Sequence, residues 1–159
     1  MTRPDLPHGE EDAYGLSRFV RAQKHVYADA LSEITNGRKR THWMWFVFPQ
    51  LAGLGVSATS ERYAIATVDE ARAYLDHPIL GPRLLECSES LLRVEGRSAT
   101  AILGTPDDLK LRSCATLFAS VSAPGSVFDR VLEKYYGGAR DPKTLRLLGM
   151  AGQPPGGHG

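Results

Sequence analysis

Five times along the chain a capping residue, or a glycine or aspartate followed by proline, stands directly ahead of a run with apolar residues three and four apart. Such punctuation fixes where a helix begins and which face it buries, and it leaves little of the chain for strands. Thr67-Val68-Asp69-Glu70 has the form of a capping box before "ARAYL", and His77-Pro78 stops that run. Gly81-Pro82 opens "RLLECSESLLRV", which sets Leu84, Leu85, Ser88, Leu91 and Leu92 on one face. Thr105-Pro106-Asp107-Asp108 supplies a cap, a first-turn proline and two acids ahead of "LKLRSCATLFASV". Ser126 caps "VFDRVLEKYY", which Gly137-Gly138 ends, and Asp141-Pro142 opens "KTLRLLGM".

The strongest single periodicity lies upstream. Leu16, Phe19, Val20, Gln23, Tyr27, Ala30, Leu31 and Ile34 form one helical stripe, with Arg18, Arg21, Lys24, Asp29 and Glu33 facing away. The spacing predicts one helix over 16–34, closed by Gly37 and by the basic run Arg38-Lys39-Arg40. "WMWFVF" has strand-like composition but neither clean alternation nor a hairpin partner, so Thr41 is read as the cap of a short helix from His42 to Phe48, stopped by Pro49. No internal repeat is visible. The expected fold is all-α: a compact multihelical bundle of about six to eight helices in one domain, residues 13–150, with flexible termini at 1–12 and 151–159.

Bulk properties exclude several function classes. Net charge is +1 and the pI near 7.8, so no global field draws the chain to nucleic acid or to an anionic membrane, and any anion site must be local. Residues 41–60 are uncharged apart from His42, but Pro49 and four glycines or serines disqualify them as a membrane span. The stretch "MTRPDLPHGEED" lacks an apolar signal core, which predicts a cytoplasmic protein with Cys87 and Cys114 buried and reduced. His8, His25, His42, His77 and His158 have no metal-ligand spacing, so no metal is expected. No Walker loop, GxSxG or strand-borne GxGxxG is present, and no cofactor is expected.

Two segments carry the candidate chemistry. "THWMWFVFPQLAGLG", residues 41–55, packs Trp43 and Trp45 among apolar residues, with His42 and Gln50 as polar groups at its two ends. Aromatic faces with a few convergent polar groups suit a purine- or nicotinamide-like ring, and His42 is the candidate catalytic residue. The alternative is an aromatic-rich core in which His42 caps a helix end. On a helix the two tryptophans stand about 200° apart, so one should face the core and the other a cleft. In "DDLKLRSCATLF", residues 107–118, Lys110, Arg112, Ser113 and Thr116 offer two cations and two hydroxyls to a phosphate-bearing ligand. The alternative there is a solvated amphipathic face on which Asp107 and Asp108 pair with Lys110 and Arg112. Tyr63 is a further candidate, as a phenol donor into the same pocket or as half-buried structure. Glu86 and Glu89 lie beside Arg83 and Arg93 and are read as ion-pair partners.

The segments "RFVRAQ", "HWMWFVFPQLAGLG", "AYLDHPILGPRL", "ILGTPDDLKLRSCATLF" and "FDRVLEKYYGG" resemble the bacterial domain-of-unknown-function family numbered 1810, from Phe19 to about Leu148. The resemblance implies a small all-α multihelical fold and brings no established activity. Members often carry the label calpastatin, a calpain inhibitor, whereas an inhibitor of that type is long, repetitive and disordered and this chain is short, unrepeated and core-forming. The chain is more loosely similar to a small α-helical family that removes ADP-ribose-type groups from modified bases. It shares an "AQK" helix (Ala22–Lys24), a Trp-rich element and a late "F…VL…Y" helix, but no residue matches that family's acidic catalytic motif. That similarity implies a ligand class: a nucleotide or ADP-ribose-like molecule, either bound or cleaved at its N-glycosidic bond. The other reading of the chain is a non-catalytic adaptor whose aromatic stretch packs a protein partner as a flat exposed patch, with no partner identified.

Overall fold

The computed structural model describes residues 12–55 and 57–149, so the expected flexible termini, with His8 and His158, lie outside the described residues apart from Asp12. Ten helices follow one another in these residues: α1 (Ser17–Gln23), α2 (Tyr27–Thr35), α3 (Met44–Val47), α4 (Ala58–Arg62), α5 (Val68–Asp76), α6 (Leu80–Arg93), α7 (Ala99–Leu103), α8 (Asp107–Ala119), α9 (Val127–Tyr136) and α10 (Pro142–Leu147). The all-α expectation holds, and the described residues contain no strand beyond one isolated parallel bridge between Leu51 and Ile65. The helix count exceeds the expected six to eight for two reasons. The short helices α4 and α7 start at Ser57 and Ser98 caps that were not read as such, each accepting from the backbone N–H three residues on at 3.0 Å. The run 16–34 is also two helices rather than one.

The break falls where Gln23 is drawn inward. Its buried amide donates to the Phe46 carbonyl at 2.7 Å and to the Tyr74 hydroxyl at 3.2 Å, and Val26 leaves helical geometry at φ −123°. The two halves then serve different neighbours, α1 packing on α3 and α2 on α6. Two residues placed on the outer face of this run are also turned to structural use. Glu33 is buried under the returning 40–43 segment, and Arg18 donates to the carbonyls of Tyr14, Gly15, Arg62 and Ala64 and to Glu70 at 2.9 Å. A wheel projection shows which face is polar, not what the rest of the chain lays over it.

Most helix boundaries fall where the punctuation put them. Thr67 accepts from Glu70 N–H at 3.1 Å, while the Glu70 carboxylate takes Ala66 N–H at 2.9 Å, one residue before the partner of an ideal box. Ser126 caps α9 and Asp141 caps α10. Gly137 ends α9 in the left-handed conformation at φ 62°, which glycine adopts without a Cβ penalty. Thr41 does not cap α3; its hydroxyl donates to Glu33 at 2.7 Å. At α6, glycine is required for space: a Cβ on Gly81 would lie 2.1 Å from the Leu75 carbonyl oxygen.

Two helices carry the packing. α6 contacts α2, α5 and α9, and α8 contacts α5, α7, α9 and α10. An aromatic row, Phe19–Tyr74–Phe118–Phe128, runs through the core with successive centroids 5.2, 5.4 and 5.7 Å apart, tying α1, α5, α8 and α9 together. Each such ring buried adds roughly 1.5–3 kcal/mol of transfer free energy. α8 is buried at eight of its thirteen positions, Asp108, Ser113 and Thr116 among them, so it is a central helix and not the solvated amphipathic one its charges suggested. No helix among the described residues is long and apolar enough to cross a membrane.

A cleft between the aromatic segment and helix α8

Trp43 and Trp45 are not equivalent, as their spacing predicted. Trp43 is 1% exposed, packs against Phe48, and donates its indole N–H to Glu33 at 2.8 Å. Glu33 also accepts from Arg40 N–H (2.8 Å), Thr41 N–H (3.0 Å) and the Thr41 hydroxyl. Burial pushes its carboxyl up, but these donors together outweigh burial and hold it at about 2. Trp43 is therefore core, pinned by its one polar atom.

Trp45 is half-buried and lines two adjoining cavities. The larger, about 260 Å³, lies between the 45–55 segment and α8, with Leu109, Lys110, Ser113, Asp141 and Lys143 on its far wall. The smaller, about 90 Å³, is walled by Leu51, Leu54 and Tyr63, with Ser60 and Glu61 among its polar residues. Trp45, Gln50, Leu54 and Gly55 line both. Trp45 therefore lies at a concave surface, which holds neither His42 nor Arg112.

Gln50 is 7% exposed, and its side-chain amide has no hydrogen-bond partner among the described residues. Its backbone is fixed separately: Gln50 C=O accepts from Ile65 N–H and Ala52 N–H donates to Ile65 C=O, both at 2.8 Å. Gln50 is thus held at the wall of both cavities by a backbone bridge. Lys110 Nζ sits 4.2 Å from the Trp45 ring centroid and 3.0 Å from Asp107 Oδ1. Asp107 has a second cation, Lys39 Nζ, at 3.0 Å from Oδ2, so it is shared between two lysines. Asp141, the carboxylate in the larger cavity, spends Oδ2 on Thr144 N–H at 2.9 Å and on the Thr144 hydroxyl at 2.6 Å. The Ser113 hydroxyl, on the cavity wall, donates to Leu109 C=O at 3.2 Å.

Of the residues singled out from sequence, the fold brings Trp45, Gln50, Lys110 and Ser113 to one cleft and Tyr63 to the adjoining chamber. Four others are corrected. Trp43, expected with Trp45 to hold a ligand ring, is sealed in the core by its bond to Glu33 and lines neither cavity. His42 is exposed and lines neither cavity, because α3 begins only at Met44 and His42 stays in the loop. Arg112 turns to the far side of α8, where Nε and Nη2 each donate at 2.8 Å to the carbonyls of Ala139 and Arg140, and it does not pair with Asp108. Thr116 is buried, donating to Arg112 C=O at 2.8 Å and accepting from Asp141 N–H at 2.9 Å. Asp108 is held by Thr100 and Thr105, which keep its carboxyl low against the upward pull of burial. Lys143 was missed; it stands one residue after a helix-opening Asp-Pro, and nothing local marks it as facing α8. Glu86 accepts from Tyr27, and neither Glu86 nor Glu89 makes an ion pair among the described residues.

Cys87 and Cys114 are buried and unbridged, and burial raises both thiols, Cys87 to about 12. Among the described residues no three His, Cys, Asp or Glu side chains come together as a metal ion would need.

A family model described as "Protein of unknown function (DUF1810)" matches residues 13–148. The crystal structure of the conserved hypothetical protein Rv1873 from Mycobacterium tuberculosis is similar at a TM-score of 0.85 and 52% identity, covering 87% of this chain and 99% of that one. No curated protein matches the chain.

Proposed function

The chain belongs to the DUF1810 family of proteins of unknown function, and from that premise we propose that it is a binding protein for a small phosphate-bearing, nucleotide-like molecule, held between Trp45 and α8. The observation that carries this reading is Lys110, whose ammonium lies over the Trp45 face at the larger cavity beside Ser113 and Lys143. Lys110 and Lys143 there meet Asp141, which gives Oδ2 to the cap of α10, and Lys110 shares Asp107 with Lys39, so three lysines face two carboxylates and one positive charge is left over. An anion is the complement of such a wall. At about 260 Å³ the cavity falls just below the roughly 300–1,000 Å³ usual for ligand pockets, which favours a mononucleotide-sized molecule over NAD or ADP-ribose.

Binding without cleavage is the stronger form of the proposal. Hydrolysis of an N-glycosidic bond asks for a carboxylate or histidine free to activate water. His42 stands outside both cavities, Asp141 gives Oδ2 to the cap of α10, and the remaining cavity carboxylate, Glu61, lines the small chamber away from Lys110 and Lys143. The test is a thermal-shift panel of inorganic phosphate, uridine and adenosine monophosphates, ADP-ribose and NAD. At least one mononucleotide should raise the melting temperature. Lys110→Ala should remove that rise, since loss of a charge-assisted contact of about 1.5–3 kcal/mol weakens binding more than tenfold. Arg112→Ala should keep it. A flat response across the panel, or a shift that survives Lys110→Ala, defeats the proposal.

A further inference from the structure

We infer that the small chamber beside Gln50 is the ring compartment of a two-part site, and that it takes the edge of one planar ring bearing an adjacent hydrogen-bond donor and acceptor, a lactam or a carboxamide. The inference rests on the anion-binding reading of the larger cavity and adds which end of the ligand goes where.

Gln50 is the starting point. A buried amide that no protein group pairs costs on the order of 1–3 kcal/mol unless water or a ligand in the chamber pairs it, and side chains in that position are rare in folded proteins. The fold does not need the amide, because the backbone bridge to Ile65 already sets the position. A methionine would fill the same space without the penalty. What glutamine adds is an N–H₂ donor and a C=O acceptor side by side. Their complement is a group presenting acceptor and donor at the same spacing, which is the edge of a lactam or a carboxamide.

The chamber's size and charge agree. At about 90 Å³ it has room for about three waters, hence for the edge of a single ring and not for a fused bicycle. Leu51, Leu54 and Tyr63 offer apolar and aromatic walls to ring faces. Glu61 lies on this side, whereas Lys110 and Lys143 lie on the other. That asymmetry turns an anionic group away from the small chamber and toward α8, so a ligand with a ring at one end and a phosphate at the other has one favourable orientation.

Isothermal titration of the full chain with three probes tests this. Uridine 5′-monophosphate carries a planar lactam ring and a phosphate, nicotinamide mononucleotide a planar carboxamide-bearing ring and a phosphate, and ribose 5-phosphate the sugar and phosphate without any planar ring. At least one ring probe should bind ten times or more tighter than ribose 5-phosphate. Gln50→Met should remove the advantage of that probe over ribose 5-phosphate when both are measured on the same variant, while Lys110→Ala weakens all three alike. Equal affinity of wild type for ring and ringless probes overturns the inference and leaves the anion site standing; this comparison needs no variant. A ring preference that persists in Gln50→Met also overturns it. If no probe binds the wild type, the anion site itself fails and the ring compartment with it.

Discussion

Replacing Glu33 by glutamine should cost stability at neutral pH and nothing at pH 2. The carboxylate takes four hydrogen bonds, three of them on Oε1 from Arg40 N–H, Thr41 N–H and the Trp43 indole. A glutamine oxygen can keep those three, and its N–H₂ can face a Thr41 hydroxyl turned to accept. What is lost is the charge. The folded protein holds Glu33 ionised down to about 2 against an ordinary value of 4.5. At about 1.4 kcal/mol per pH unit that difference is roughly 3 kcal/mol, and discounting for the water that still reaches the carboxylate leaves about 2 kcal/mol. The group's folded value is depressed, so its contribution is complete above about pH 5 and drains away as pH falls toward 2. Urea unfolding followed by circular dichroism at pH 7, 5 and 3 should show nearly the same gap between wild type and Glu33→Gln at pH 7 and 5 and a gap reduced to about half at pH 3. Taking the difference between the two proteins cancels other carboxylates held low, such as Asp108. Glu33→Ala should cost more, about 3–4 kcal/mol, because it strands a buried indole N–H and two backbone N–H groups. Parallel pH curves for wild type and Glu33→Gln, or an alanine variant no worse than the glutamine one, would refute the reasoning.

Gly81→Ala should destabilise by about 3 kcal/mol or more, since the added methyl meets the Leu75 carbonyl oxygen at 2.1 Å and both groups sit on packed helices; a melting temperature within two degrees or so of wild type would count against it. Arg112→Ala should lower stability by about 1–2 kcal/mol through the two released carbonyls of the 139–140 turn, with faster amide exchange there and unchanged ligand response. Cys87 and Cys114 should resist a thiol reagent in the folded protein and react together on unfolding; fast labelling of either at pH 8 in native buffer would contradict their burial and raised thiol values.

What the sequence disclosed was local. The capping partners of Thr67, Ser126 and Asp141 and the glycine stop at Gly137 lie within four residues of one another, so spacing alone finds them. The division between Trp43 and Trp45 came out as expected but for a different reason: Trp43 precedes α3 with φ −145° and is drawn into the core by Glu33, so the two residues do not share the helix that the spacing argument assumed. Half of the candidate cleft was recoverable because Lys110 and Ser113 lie one turn apart and Trp45 and Gln50 belong to one unusual segment. The remainder depended on contacts far apart in the chain. Arg112 meets carbonyls 27 and 28 residues away, Gln23 fixes a carbonyl 23 residues on, and Glu33 is covered by a loop that returns over its own helix. Surface polarity on a helical wheel cannot distinguish a residue facing water from one facing another segment's backbone.

The separate settings of the two indoles give the protein two optical reporters, one for each kind of event. Trp43 is sealed in the core with its N–H fixed on Glu33 and the Lys39 ammonium 5.3 Å from its ring centre, so its emission changes chiefly when the core opens. Trp45 carries a movable ammonium 4.2 Å from its ring centre, and any ligand that draws Lys110 away alters the field across that indole without disturbing the fold. A Trp45→Phe variant then reports unfolding alone, a Trp43→Phe variant reports occupancy of the cleft, and comparing the two separates a molecule that binds from one that merely stabilises.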